Sequence, residues 1–276
     1  MSRPVRAHRR LIVRALAAVV LAAGPGFGAE IVTRTFDVPS GNPALWYLSG
    51  DVPALVTADL MFRNGDHHLK HFGVVPHDGT GPSTDYLVQF SDLDGGDRYS
   101  GTVRWADLWQ QNLPRSVARG GCAGTCRLTI PRLARWQQVF VLSGFQLSFS
   151  EAGTDRHVRE IAIVPSPYDG FVDVTFTDDS GGRPFSVELR YLVLPYGLAV
   201  GENIRQGSVV GGGNSEVAIP AGQAVLQGFR LRFSNSDHHL ERFAVDLHDN
   251  RIRTHWRDGD ANDPYTWWVS YATLAP

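Results

Sequence analysis

Aspartate and histidine recur in this chain as an Asp-x-His pair at three places. The three pairs are Asp66 with His68, Asp155 with His157, and Asp237 with His239. Each pair follows one alternating apolar segment and precedes another, which places it in a turn. Three interpretations are open: a turn in which the Asp bonds its own backbone and the His caps the next strand, a ligand-binding loop, or a zinc or copper site, since both side chains ligate these metals.

Carboxylates form a second recurring group in loops that contain glycine. The residues are Asp92, Asp94 and Asp97 near the start of the chain and Asp258, Asp260 and Asp263 near its end. Closely spaced carboxylates in such a loop can hold Ca²⁺. We predict no cofactor and keep Ca²⁺ as the alternative at these carboxylates. The spacing does not match an EF-hand loop, and solvated turns explain the same pattern.

Aromatic residues keep fixed distances from these motifs in all three copies. An aromatic stands two positions before an Asp, another seven positions after that Asp, and a third six positions further on. These residues are Phe90, Tyr99 and Trp105; Phe176, Phe185 and Tyr191; and Trp256, Tyr265 and Tyr271. Self-similarity at a fixed period predicts internal repeats. The period of about 80 to 90 residues has the size of a small domain.

The elements around the motifs alternate apolar and polar residues. Clear examples run from Ala58 to Phe62, from Phe145 to Phe149 and from Phe229 to Phe233. This period of two, with Gly- and Asp-rich turns between short strands, predicts an antiparallel sandwich. We therefore predict an all-β fold of three tandem antiparallel β-sandwich repeats with pseudo-threefold similarity, packed on a shared core because each unit alone is small. The predicted repeats span 31–109, 127–196 and 215–275, with linkers from Gln110 to Cys126 and from Tyr196 to Asn214, the second of them mobile.

Residues 1–28 have the pattern of a cleaved export signal. Five arginines flank or interrupt a short apolar run, and Gly26-Phe27-Gly28 supplies small residues for cleavage before Ala29. The Arg9-Arg10 pair leaves the twin-arginine route open beside ordinary secretion. We predict a signal peptide and a periplasmic or extracellular protein. No later apolar run is long enough for a transmembrane helix.

The two cysteines and the charge narrow the function classes. Cys122 and Cys126 predict a disulfide, because an even cysteine count in an exported protein is typical of one. The net charge is −2, and it becomes −7 without the five Arg and no acids of the first 28 residues. This excess of acid argues against nucleic-acid binding. Catalytic motifs such as Gly-x-Ser-x-Gly and His-Glu-x-x-His are absent from the sequence, and we predict no enzymatic activity.

Each unit resembles the H-type lectin domain in its succession of strands and aromatics, which closes on Val103–Leu108, Leu189–Leu194 and Val269–Leu274. The resemblance implies a small six-stranded sandwich and a trimer that binds galactose-type sugars, here as three units fused in one chain. Similar lectins place a Trp, a following polar residue and a downstream Tyr beside the sugar, and Trp256, Arg257 and Tyr265 match this pattern. Phe90 and Phe176 take the Trp place in the other units.

Two functions follow as expectations. The first is an exported, lectin-like carbohydrate-binding protein with a glycan partner, in which the Asp-x-His residues, Trp256, Arg257 and Tyr265 bind the ligand. The alternative is a structural or partner-binding surface protein that contacts another cell-surface protein. An exposed Trp256 would favour the sugar site at that position, whereas a buried one would favour a structural role.

Overall fold

The computed structural model describes residues 29–38, 44–48, 53–62, 69–77, 84–92, 98–108, 113–149, 157–178, 184–211, 213–235, 239–259 and 263–276. Within these ranges all regular structure is β-strand, as the alternating pattern predicts. The strands are β1 Glu30–Val38, β2 Ala44–Leu48, β3 Pro53–Phe62, β4 Leu69–His77, β5 Thr84–Asp92, β6 Tyr99–Asp107, β7 Arg115–Thr129, β8 Gln138–Phe149, β9 Glu160–Ser166, β10 Phe171–Thr177, β11 Pro184–Pro195, β12 Ala199–Val209, β13 Asn214–Ala218, β14 Ala224–Phe233, β15 Leu240–Asp246, β16 Arg251–Asp258 and β17 Tyr265–Leu274. The predicted signal peptide, residues 1–28, lies outside the described residues.

The strands form two sheets in a sandwich-like arrangement. One sheet has the order β1-β6-β3-β15-β16-β13, and the other has the order β12-β17-β14-β9-β10-β7-β11-β8-β4-β5-β2. Every hydrogen-bonded pair of strands is antiparallel. The predicted all-β, antiparallel sandwich is therefore confirmed. In the described part of the chain, no helix is long and apolar enough to cross a membrane.

Strand β7 changes partner halfway along its length. Its first half, from Arg115 to Ala123, pairs with β11, and its second half, from Gly124 to Thr129, pairs with β10. At the change, Gly124 has a positive φ of 78°, which a residue without a Cβ adopts at low cost. The predicted disulfide between Cys122 and Cys126 spans this point, with Cα atoms 5.6 Å apart. It links the two halves of one strand.

Both segments predicted as linkers contain a long strand. Residues 115–126 belong to β7, and residues 199–209 form β12, an edge of the larger sheet. Many residues of these two strands are exposed polar residues, glycines or single aliphatics. Few buried apolar residues therefore alternate with them, and the pattern in the sequence is short and irregular. A sheet edge needs only one buried neighbour, which lets a Gly-rich polar segment form a strand without a strong apolar pattern.

Three strand pairings connect the predicted repeats to one another. Strand β3 pairs with β15, β8 with β4, and β14 with β9. The three strands β3, β8 and β14 also contact one another in the middle of the molecule. A cluster of buried phenylalanines fills this centre: the ring of Phe243 lies 4.8 Å from Phe72 and 5.2 Å from Phe229, and Phe145 lies 5.3 Å from Phe229. The units therefore share one apolar core.

Candidate functional site

Two histidines of the Asp-x-His pairs lie side by side in the structure. Asp66, His68, Asp155 and Asp237 lie outside the described residues, whereas His157 and His239 are described. The structure brings these two together, with ring centroids 4.2 Å apart, although 82 residues separate them in the sequence. His239 immediately precedes β15 and His157 lies three residues before β9, and each of these strands pairs with a strand of another predicted repeat. Their role in ligand binding stays a prediction.

The aromatic residues that carry the lectin resemblance lie in the core. Trp256 and Tyr265 are both 0% exposed. The Tyr265 hydroxyl donates to the backbone carbonyl of Thr254 at 2.9 Å, and the Trp256 ring packs against Phe233 at 5.0 Å. Side chains buried in this way cannot stack on a sugar without opening the core. At this position the structure has the buried tryptophan expected of a structural role.

Arg257, the third residue of that resemblance, belongs to an ion-pair layer on the outer face of the smaller sheet. Its Nη2 donates to Glu241 at 2.6 Å, and the neighbouring Arg242 makes a two-bond contact with Asp59 at 3.0 and 2.8 Å. The Arg242–Asp59 pair crosses from β15 to β3. His255 lies between these pairs, and its pKa is lowered to about 4 by burial first, then by Arg242 and Arg257, with Asp59 opposing them.

His255 predicts a specific pH dependence of stability. An unfolded histidine titrates near ~6.5, so between pH ~6.5 and about 4 only the unfolded chain binds this proton. Stability is fully present above this window and falls as the pH is lowered through it. Because His255 is partly solvated, we expect a loss of about 1–2 kcal/mol. Urea unfolding at several pH values should show that His255→Gln removes this part of the slope. An unchanged slope in the variant would contradict the assignment.

The predicted calcium ligands are distributed as follows. Asp94, Asp97 and Asp260 lie outside the described residues, and Asp92 ends β5. Asp258 is buried at the end of β16, and Asp263 accepts a hydrogen bond from the side-chain amide of Asn235. The described residues hold no group of three or more His, Cys, Asp or Glu side chains that could bind a metal.

A surface aromatic cluster, absent from the sequence prediction, lies at the turn between β7 and β8. Trp136 is 73% exposed, and its ring lies 6.4 Å from that of Tyr196, in an edge-to-face orientation. Tyr196 stands in the turn between β11 and β12, and its backbone amide donates to the Gln137 carbonyl at 2.9 Å. We call Trp136, Tyr196, Arg135, Tyr168 and Glu202 the Trp136 platform.

The backbone holds Trp136 in an unusual conformation. Its φ is 65°, in the left-handed region that non-glycine residues seldom adopt. The turn is fixed by hydrogen bonds from the amides of Gln137 and Gln138 to the Ala134 carbonyl, at 3.1 and 3.0 Å. The Ala134 amide donates a hydrogen bond to the side-chain oxygen of Gln138 at 3.0 Å. A strained, exposed tryptophan on a well-held turn points to a function.

Polar groups lie beside the aromatic rings. The Arg135 guanidinium lies 5.0 Å from the centroid of the Tyr168 ring, and the Tyr168 hydroxyl donates to a carboxylate oxygen of Glu202. Burial, followed by this hydrogen bond, raises the pKa of Tyr168, so the hydroxyl keeps its proton. The other carboxylate oxygen of Glu202 accepts from the buried Gln227 at 2.7 Å. Gln227 on β14 in turn accepts from Ser270 on β17 at 2.8 Å, so these two strands hold the Glu202 carboxylate in place.

The sequence contained a weak signal for this cluster. Trp136 stands between Arg135 and Gln137 in a polar stretch that separates two apolar strands, where an aromatic has no core to enter. The repeat motifs indicate only residues that all three units have in common. The corresponding segment of the third unit, after Pro220, contains no aromatic. A feature that is not shared by all three units is invisible to a search for threefold recurrence.

Comparison with known proteins adds no assignment. No protein-family model matches the chain, and no curated protein has a matching sequence.

Proposed function

We propose that this protein is an exported, lectin-like carbohydrate-binding protein whose ligand site is the Trp136 platform. The observation that carries the proposal is the 73% exposure of Trp136 in a left-handed turn beside a fixed carboxylate and a guanidinium. Large aromatic rings are normally mostly buried in a folded protein, and their exposure costs solvation free energy. A binding partner for the ring explains both the exposure and the backbone strain.

The chemistry of the platform fits a sugar. One face of a galactose-type ring carries C–H groups that can pack on the indole of Trp136 and the edge of Tyr196. The hydroxyls of the same ring need donors and acceptors at the rim, which Arg135 and Glu202 supply. Glu202 is held by Tyr168 and Gln227 before any ligand arrives, so little side-chain entropy is lost on binding.

A single substitution separates binding from folding at this site. Trp136→Gly removes the indole and suits the positive φ, so we expect stability to stay equal or rise by up to about 1 kcal/mol. Sugar affinity should fall at least roughly tenfold. The measurement is a glycan array with the chain lacking residues 1–28, with and without Ca²⁺, followed by calorimetry and thermal melting. Val210→Ala, a change at another exposed apolar residue, is the control that should keep affinity. Unchanged affinity in Trp136→Gly would refute the site.

We further propose that the chain consists of three tandem repeats around a pseudo-threefold axis. Each of the three pairings between units joins the strand before the Asp-x-His turn of one unit to the strand after that turn in another. The registers correspond: Leu60 pairs with Phe243, Leu147 with Phe72, and Leu231 with Ile161. Such a cyclic set of equivalent pairings supports a fused trimer.

Two further details support the repeat. The aromatic two positions before the recurring Asp packs in each unit against the last Phe of the preceding long strand. The pairs are Phe62 with Phe90, Phe149 with Phe176, and Phe233 with Trp256, at 3.9, 4.4 and 5.0 Å. The Tyr99 hydroxyl also donates to the Val88 carbonyl, as that of Tyr265 does to Thr254, each eleven residues earlier.

Export is proposed from the first 28 residues together with the disulfide. The Cys122–Cys126 bond suits an oxidising compartment, since cytosolic proteins keep thiols reduced. In the described part of the chain no cysteine is free.

A second candidate function is the binding of another protein through β12. This strand is an edge of the larger sheet, and it exposes Val200 and Ile204 on either side of Glu202. Edge strands with exposed aliphatics can add a strand from a partner. Competition decides between the two: a sugar that binds the Trp136 platform should not displace a partner held only by the β12 backbone.

A further inference from the structure

A groove on the outer face of the larger sheet lies well away from the Trp136 platform. It crosses β7, β11 and β8 and is lined by Arg119, Gly120, Gln146, Ser148, Ser186, Val187 and Glu188. Trp136 precedes β8, whereas Gln146 and Ser148 lie near its far end, roughly 25 Å along the strand at ~3.3 Å per residue. The two sites can therefore be occupied independently.

Glycines on the outer face explain why the surface is concave here. In one row across the sheet, Arg119 pairs with Glu188 and Glu188 with Gln146, and the next position on β4 is Gly73. In the adjacent row Gly121 pairs with Ser186. Because these glycines have no side chain, Gln146 reaches across Gly73 and donates to Gln89 at 3.1 Å.

Two arginines share one carboxylate at the groove. The Glu188 carboxylate accepts from Arg119 Nε at 2.7 Å and from Arg190 Nε at 2.6 Å. Burial opposes ionisation, but these two hydrogen bonds hold the pKa of Glu188 below its usual range. Two guanidiniums thus face one carboxylate. Arg119 is 65% exposed, and within the described residues its Nη groups have no acceptor, so four N–H donors point away from the ion pair.

Neutral hydrogen-bonding groups surround this charge. Ser186 donates to the Ser148 carbonyl at 3.3 Å, and the Ser148 hydroxyl lies 3.1 Å from His71 Nδ1. Burial, with a contribution from Lys70, lowers the pKa of His71, so the ring is neutral at pH 7. The Oε1 atom of Gln146 remains as an acceptor. Among the described residues no aromatic ring lines the groove, which distinguishes its ligand chemistry from that of the Trp136 platform.

We propose that this groove is a second ligand site, which binds the carboxylate or sulfate group of an acidic sugar. The Nη groups of Arg119 take two oxyanion oxygens in a fork geometry, while Ser186 and Gln146 take the neighbouring hydroxyls. The three strands span roughly 10 Å across the sheet, which is enough for one or two sugar rings. The protein would then hold a neutral sugar at one end and an acidic sugar at the other.

The test is calorimetric titration with three probes: trigalacturonate, a sulfated galactose disaccharide and neutral galactotriose. Relative preference between the first two identifies the oxyanion as carboxylate or sulfate. Arg119→Gln should weaken the acidic probes by about tenfold or more, and added salt should weaken them in the wild type. Glu188→Gln removes the groove's negative charge and should strengthen them severalfold. The control is Arg127→Gln. Arg127 lies on the same strand as Arg119, is similarly exposed and pairs with Asp173 on β10, so its replacement should leave the affinity for the acidic probes unchanged.

Each result has a definite meaning for this site. The proposal is overturned if Arg119→Gln binds the acidic probes as tightly as the wild type does. It is also overturned if the wild type binds neither acidic probe. If Trp136→Gly abolishes acidic-sugar binding and Arg119→Gln does not, the acidic sugar binds the Trp136 platform, and the groove proposal alone fails. If Trp136→Gly affects galactotriose only, and Arg119→Gln the acidic probes only, both sites stand.

Discussion

Phe243→Ala is expected to lower the free energy of unfolding by about 3–5 kcal/mol, the usual cost of emptying an aromatic site in a core. Phe243 is fully buried, and its ring contacts those of Phe72, Phe229 and Trp256. Phe243, Phe72 and Phe229 lie on β15, β4 and β14, and each of these strands takes part in one of the three pairings described above. The cavity therefore cannot close by moving one strand. Such a loss is a large share of the free energy of unfolding of a typical domain, which is about 5–15 kcal/mol.

Urea unfolding followed by fluorescence and circular dichroism measures this effect. Because the sheets run across the unit boundaries, we expect one cooperative transition that shifts as a whole. Three separate transitions, of which Phe243→Ala moves one, would show independent units. Val210→Ala is the control, since that side chain is 88% exposed and its removal should change stability by less than ~0.5 kcal/mol. A cost under ~1 kcal/mol for Phe243→Ala would contradict the shared core.

Gly73→Ala is expected to destabilise the protein by roughly 3 kcal/mol, at the upper end of ordinary overpacking. A Cβ at Gly73 would lie 2.3 Å from the Phe145 carbonyl oxygen and 2.5 Å from the Gln146 Cα. Both atoms belong to the backbone of β8, so no side-chain rotation relieves the clash, and β4 must move away from β8. The substitution therefore acts on one of the three pairings between units.

The matched control for this glycine is Gly197→Ala. Gly197 lies in the turn after β11, and no atom lies within 4 Å of a Cβ built there. The same chemical change should alter stability by less than ~1 kcal/mol and in the stabilising direction, since alanine restricts the unfolded chain. Equal effects at Gly73 and Gly197 in thermal and urea unfolding would mean that β4 and β8 are not packed as closely as described.

The sequence predicted those elements whose inner and outer faces differ strongly. The segments ending at Phe62, Phe149 and Phe233 alternate because one face enters the core, and they are strands β3, β8 and β14. The first part of β7 and the whole of β12 were missed, because an edge or Gly-rich strand with little buried surface has no such contrast. The pairings between the proposed units were also beyond the sequence, since they join residues up to 189 positions apart, as in Thr57 and Asp246.

The Trp136 platform could not be predicted from the sequence, for a physical reason. Trp256 and Tyr265 recur with fixed spacing because the core of each unit needs an aromatic at those places, so recurrence marked packing rather than binding. His157 and His239 do meet, as three converging turns would require. The exposed Trp136 depends on a turn conformation and on Glu202, which is 66 residues further along the chain, and neither follows from local pattern.

The most direct test of the central claim uses fluorine NMR of protein labelled with 5-fluorotryptophan. The Trp136 signal is assigned by its absence in Trp136→Phe, and a galactose-type oligosaccharide selected on the glycan array is titrated in. We predict that the Trp136 signal shifts with saturation at the calorimetric affinity, while those of the buried Trp105 and Trp256 stay in place. Saturable binding that leaves the Trp136 signal unmoved, or that moves Trp256 instead, would contradict the account.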